Sequence, residues 1–139
     1  MTEVKDSQVR LGVIGLGGRG RGLLRMVLEM DDVAVPAVCD LYEDRLQMGA
    51  ELVEASGRKK AAQYQDYQQL LARGDLDGVI IATSIISHAE IAIAAMQAGV
   101  FPGMEVGGAA SLEECWDLVR TSERTGVHCM MLENCNFGR

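Results

Sequence analysis

A short glycine cluster, Gly15-Leu16-Gly17-Gly18-Arg19-Gly20, constrains this chain's fold more tightly than any other feature, because it lies between two apolar runs of different character. The run before it, Val9 to Ile14, reads as a strand. The run after it, Leu23 to Met30, reads as a helix. A second strand signal, Val33 to Cys39, ends on Asp40, about twenty residues past the last glycine of the cluster. Strand, glycine turn, helix, strand and acid in that order make the fingerprint of a dinucleotide-binding unit. Gly15 is expected to permit the tight turn, and Gly17 to let the backbone approach a pyrophosphate. Gly20 is expected to let the helix pack close to the strand. The helix N-terminus then aims unpaired N–H groups and a partial positive charge at the phosphates, so the whole loop from Gly15 through Leu16, Gly17, Gly18 and Arg19 to Gly20 is read as cofactor-binding.

The position of Asp40 assigns it to the adenosine ribose, where a carboxylate accepts from both hydroxyls. The same charge repels a 2′-phosphate, so NAD is expected over NADP. Arg45 could blunt that repulsion, but reads first as a solvated surface arginine. Arg19, inside the turn, is expected along the pyrophosphate or on the adenine, and Arg21 is expected in solvent.

Composition narrows the classes. A chain of 139 residues with 48% hydrophobic and 24% charged residues is long enough for one domain with a real core. A net charge of −7 argues against a nucleic-acid partner, which needs a basic face. Arg58-Lys59-Lys60 is the only basic run, and it reads as a solvated loop. No apolar stretch reaches membrane-spanning length, and the polar start, residues 1–8, reads as a frayed arm without a signal-peptide core ahead of a domain over 9–139. Cys39, Cys115, Cys129 and Cys135 have no metal-ligand spacing, so reduced thiols, no metal and a cytoplasmic setting are expected.

Strand and helix signals alternate to the end of the chain. Glu43 to Ala55 is helical, and Ala61 to Tyr64 is a short strand. Asp66 caps a short helix through Leu71, and Gly78 to Thr83 is a central strand, apolar on both faces. Ser87-x-x-Glu90 and Ser111-x-x-Glu114 read as capping boxes of two further helices, stopped by Gly99 and Gly126. Val100 to Val106 and Val127 to Leu132 complete about six strands, which predicts an α/β fold with a doubly wound parallel sheet of Rossmann type. Pro36 and Pro102 fall inside predicted strands and point to a bulge or a shortened strand.

Several stretches resemble the glucose–fructose oxidoreductase, inositol dehydrogenase and rhizopine-catabolism family (Gfo/Idh/MocA). They are Gly12 to Gly17, Ala37-Val38-Cys39-Asp40, Tyr67 to Leu71, Asp77 to Thr83, His88 to Ala92 and Ala98-Gly99. The resemblance covers nearly all of residues 9–136. It implies an N-terminal nucleotide-binding domain of an oxidoreductase acting on a sugar or sugar derivative. In the family a second domain follows, supplying most substrate contacts and the oligomer interface. This chain stops where that domain is expected, so it resembles a cofactor-binding half, incomplete for catalysis by itself and prone to self-associate through uncovered surface. The family's Glu-Lys-Pro motif falls on Glu105, Val106 and Gly107. The lysine that manages the substrate proton is therefore replaced by Val106, which can neither donate nor accept one. The family's Pro-Asn falls on Ser84 and Ile85. Segments 104–106, 113–116 and 130–135 are similar to the NAD-dependent α-N-acetylgalactosaminidases. These glycoside hydrolases use NAD to oxidise a sugar hydroxyl transiently, eliminate the glycoside, and return the hydride. A non-catalytic nucleotide-binding module is the remaining alternative, favoured by the replaced lysine.

Five further residues complete the expected site. Thr83 and Ser84 end the central strand and could touch the cofactor. His88 reads either as a contact near the nicotinamide or substrate or as a helix-start histidine bonded to nearby backbone. Glu105 is a weak acid–base candidate and more readily a ribose or backbone partner. Asn134 reads as a cofactor-amide contact or a turn cap.

Overall fold

The computed structural model describes residues 8–133. Six strands and five helices alternate: β1 Val9–Ile14, α1 Gly18–Leu28, β2 Val33–Cys39, α2 Glu43–Ala55, β3 Ala62–Tyr64, α3 Tyr67–Leu71, β4 Gly78–Ile81, α4 Ile85–Gln97, β5 Phe101–Glu105, α5 Leu112–Thr125 and β6 Met130–Leu132. All strand pairs are parallel, in the order β3-β2-β1-β4-β5-β6. This is the doubly wound arrangement expected from the sequence. The order reverses between β1 and β4, and their carboxyl ends open a crevice there.

Two apolar cores cover the two faces of the sheet. Val13, Val35 and Val38 point to the side of α1 and α2, where Leu24, Leu46 and Val53 meet them. Ile14, Ala37, Val79 and Ile81 point to the other side, against Leu70, Ile91 and Ala95 of α3 and α4. Alternate residues of β1 and β2 thus serve opposite cores, which is why these strands read as nearly continuous apolar runs.

Both prolines sit where their missing N–H does little harm. The β1–β2 register slips between Arg10↔Ala34 and Gly12↔Ala37, so Val35 and Pro36 form a bulge. Pro102 lies one residue before β6 begins to pair with β5, at Gly103. Successive amides of a strand point to opposite neighbours, and the Phe101 amide bonds Asp77 next to β4. The Pro102 nitrogen therefore faces the β6 side, below the start of that ladder.

The two expected capping boxes part company. Ser111 accepts from the Glu114 amide at 3.1 Å, and Glu114 reaches back to the Ala110 amide at 2.6 Å. Ser87 does not cap α4. That helix starts at Ile85 with Ser84 as its N-cap residue, and the Ser87 hydroxyl instead bonds the Thr83 hydroxyl and the Ser84 carbonyl, each at 2.8 Å. Glu90, the other half of that expected box, accepts from the Tyr67 hydroxyl. Asp66 caps α3 as expected, and Gly126 ends α5 with a left-handed φ of 72°. Of the expected arm over 1–8, residue Gln8 is described, and its side chain donates to the Asp31 carbonyl.

Candidate functional site

The glycine loop sits in the crevice at the carboxyl ends of β1 and β4. Gly15 has φ +92°, and a Cβ there would lie 2.6 Å from the Ala82 carbonyl carbon and 2.7 Å from the Thr83 nitrogen. A Cβ on Gly20 would lie 1.8 Å from the Gly15 oxygen. No side chain fits at either position, so these glycines bring α1 and β4 together across the turn. Gly17 and Gly18 differ. A Cβ on Gly18 would meet nothing within 4 Å, and one on Gly17 only the Arg45 guanidinium, at 4.0 Å. The loop is closed on its protein side and open on its outer side.

The loop is pinned to β2. Gly15 donates to the Cys39 carbonyl at 2.8 Å, and Leu16 donates to Asp40 Oδ2 at 2.7 Å. Asp40 Oδ1 accepts from the Tyr42 amide at 2.9 Å, so the buried carboxylate ties the glycine turn to the start of α2. Inside α1 the first bond runs from the Arg21 amide to the Gly17 carbonyl, at 3.0 Å. The amides of Gly18, Arg19 and Gly20 precede that bond, so helix geometry turns them outward, over the open side of the loop. This arrangement can hold an anion with backbone alone.

Not every expected contact faces that gap. The Leu16 side chain is fully buried and packs on Gly49 of α2, and its amide is spent on Asp40, so Leu16 shapes the loop rather than lining it. His88 is likewise buried. Because α4 begins at Ile85 rather than Ser87, residue 88 lies a full turn into the helix and on its core face, with Ala89, Ala92 and Ala95. Its Nε2 donates to the Thr83 carbonyl at 3.0 Å, and its buried Nδ1 has no hydrogen-bond partner among the described residues. The ring is thus bonded to nearby backbone, from a position inside the helix rather than at its start.

Arg19 and Glu105 meet, although they are 86 residues apart in sequence. Arg19 Nε lies 2.8 Å from Glu105 Oε2, and a second bond runs from its terminal nitrogen to Oε1 at 3.3 Å. This fork joins the first turn of α1 to the end of β5, across the mouth of the crevice, and holds the guanidinium proton still more firmly than usual. Nothing in the spacing of the two residues signals it. Arg21, expected in solvent, donates to the Leu16 carbonyl at 2.6 Å and braces the loop. Arg45 stacks on the Tyr42 ring at 4.7 Å, beside Gly17. Thr83 and Ser84 stand at the β4–α4 turn, with Ser84 exposed. Ile85, Ile86 and Val106 add an exposed apolar rim. Asn134 lies outside the described residues. Among the described residues, no three His, Cys, Asp or Glu side chains cluster as a metal site, and no helix is long and apolar enough to cross a membrane.

Comparisons with known proteins agree with this geometry. A glycosyl hydrolase family 109 protein of Streptomyces niveus is 44% identical over 97% of this chain, and one from Bacteroides thetaiotaomicron is 40% identical over 96%. The chain spans only 28% and 29% of the length of these relatives. A crystal structure of an oxidoreductase from Agrobacterium radiobacter in complex with NAD+, L-tartaric acid and magnesium superposes with a TM-score of 0.83. It is 26% identical, over 93% of this chain and 36% of that one. Residues 9–133 match the profile of the oxidoreductase family with an NAD-binding Rossmann fold, and the chain belongs to that Gfo/Idh/MocA family.

Proposed function

We propose that this chain holds NAD across the β1–β4 crevice, as the cofactor-binding part of an enzyme that acts on a sugar or sugar derivative. The observation that carries this reading is the two-sided glycine loop. Gly15 and Gly20 admit no side chain on the protein side, while Gly17 and Gly18 leave the outward amides uncovered. When bound, NAD supplies the acceptor and donor of hydride. The chain's own residues bind and orient it. The amides of residues 18–20 hold the diphosphate, and Asp40 uses its remaining lone pairs for the adenosine ribose. Thr83, Ser84 and the Arg19–Glu105 fork border the nicotinamide end.

The names of the relatives favour a second reading of the whole protein, a glycosidase that oxidises and re-reduces its sugar within one turnover. Val106, which cannot move a proton, means that neither reading finds its acid–base group at that position. Calorimetric titration with NAD tests the cofactor reading, and absence of binding overturns it. In the longer protein, release of an aglycone from a glycoside without net NADH build-up favours the glycosidase, and steady NADH accumulation favours the dehydrogenase.

The flank formed by α5 and β6 exposes Leu112, Trp116, Val119, Met130 and Met131. Such a patch favours burial, and the isolated chain is expected to self-associate through it. A clean monomer in sedimentation at high concentration contradicts that.

A further inference from the structure

The only basic run in the sequence, Arg58-Lys59-Lys60, lies on a loop that leaves both lysines exposed, as the sequence suggests. It walls a cavity of about 520 Å³ at the amino ends of β1, β2 and β3, together with Arg10 of β1 and Arg73 just after α3. Residues 34–36 of β2 give this cavity an apolar floor. Six residues of β1 separate it from the glycine loop, a distance of about 20 Å at roughly 3.3 Å per residue.

Five cations gather here in a chain of net charge −7. Two carboxylates face them. Asp75 pairs with both Arg10, at 2.6 Å, and Arg73, at 2.8 Å, and Asp77 accepts from the Arg10 amide at 2.7 Å. The paired guanidinium groups hold the Asp75 carboxyl below the usual carboxylate range, Arg73 more strongly than Arg10. Among the described residues, Arg58 has only neutral acceptors. It donates to the carbonyls of Leu28, Met30 and Val33 at 2.6, 2.7 and 3.3 Å, which fix its guanidinium in place without cancelling its charge. Among the described residues neither Lys59 nor Lys60 has an ion-pair partner. A pre-ordered guanidinium beside two uncompensated ammonium groups suits an anion of more than one charge. The cavity's volume is that of a small-molecule site, and its apolar floor suits an organic group attached to that anion.

We propose that this amino-end cavity is a second ligand site, which binds a phosphorylated small molecule independently of the cofactor crevice. Inorganic pyrophosphate is the probe, titrated into the ¹⁵N-labelled chain with and without saturating NAD while backbone amide shifts are followed. The expected result is a saturable shift of the amides around Lys59, Lys60, Ala62 and Arg73 in both conditions. The Lys59→Gln/Lys60→Gln double variant is expected to weaken that binding about tenfold and to leave NAD affinity unchanged. Shifts confined to residues 15–20, equal shifts from chloride at matched ionic strength, or a double variant that titrates like the wild type would each overturn the proposal. Because the readout is by residue, it stands apart from whether NAD occupies the glycine loop.

Discussion

The two ends of the same strands offer two ways of meeting an anion. At the carboxyl end of β1, backbone amides do it, and the glycines matter for the side chains they omit. At the amino end, side-chain cations from β1, the loop before β3 and the segment after α3 converge on one cavity. The first design is local. Six consecutive residues and one acid specify it, and folding adds the contacts of the loop with the ends of β2 and β4. The second is assembled from segments spread over more than sixty residues, from Arg10 to Arg73, so no short window of sequence contains it.

The largest expected effect separates the roles of the glycines. Gly20→Ala puts a Cβ within 1.8 Å of the Gly15 oxygen, so α1 must move away from β1. A stability loss of about 2–4 kcal/mol in urea unfolding is expected, together with loss of NAD binding. Unchanged stability would mean that the close approach of helix and strand is dispensable. Gly17→Ala has room for its methyl group in the protein alone. Stability is therefore expected to stay within about 0.5 kcal/mol while NAD binds about tenfold more weakly, and a variant that binds as the wild type does would remove the ligand from that side of the loop.

A smaller effect belongs to the amino end. Asp75 has its carboxyl pKa lowered by the hydrogen bonds from Arg73 and Arg10. A group whose folded pKa is depressed adds stability above its unfolded pKa and loses it as the pH falls through the folded value. The wild type should therefore lose more stability than Asp75→Asn between about pH 5 and pH 2, and parallel acid-unfolding curves would sink that assignment. The smallest effect is kinetic. Burial first, and the neighbouring Asp40 second, push the Cys39 thiol up to about 12, whereas Cys115 is exposed. Maleimide should label Cys115 well before Cys39, and early labelling of Cys39 would mean that the β2 end opens readily.

Much of the fold was legible because its signals are local. β1, β2, α2 and α3 begin and end where periodicity and Asp66 put them. The start of α4 was not. Ser87-x-x-Glu90 satisfies the capping pattern, but the tertiary bonds of Ser87 and Glu90 to Thr83, Ser84 and Tyr67 won, and the earlier start turned His88 into the core. Asp40 was legible as an acid at a strand end. Its grip on the Leu16 and Tyr42 amides was not, and neither was the Arg19–Glu105 fork, because both depend on which strand ends lie side by side.

The central claim is that the glycine loop holds the diphosphate of NAD while Asp40 serves the adenosine ribose. Calorimetric titration of wild type and Asp40→Ala with NAD and then NADP tests it most directly. The account predicts tighter binding of NAD by the wild type. In Asp40→Ala the gap should narrow, and both affinities should fall because the Leu16 amide loses its acceptor. Equal affinities for the two cofactors in the wild type would contradict it.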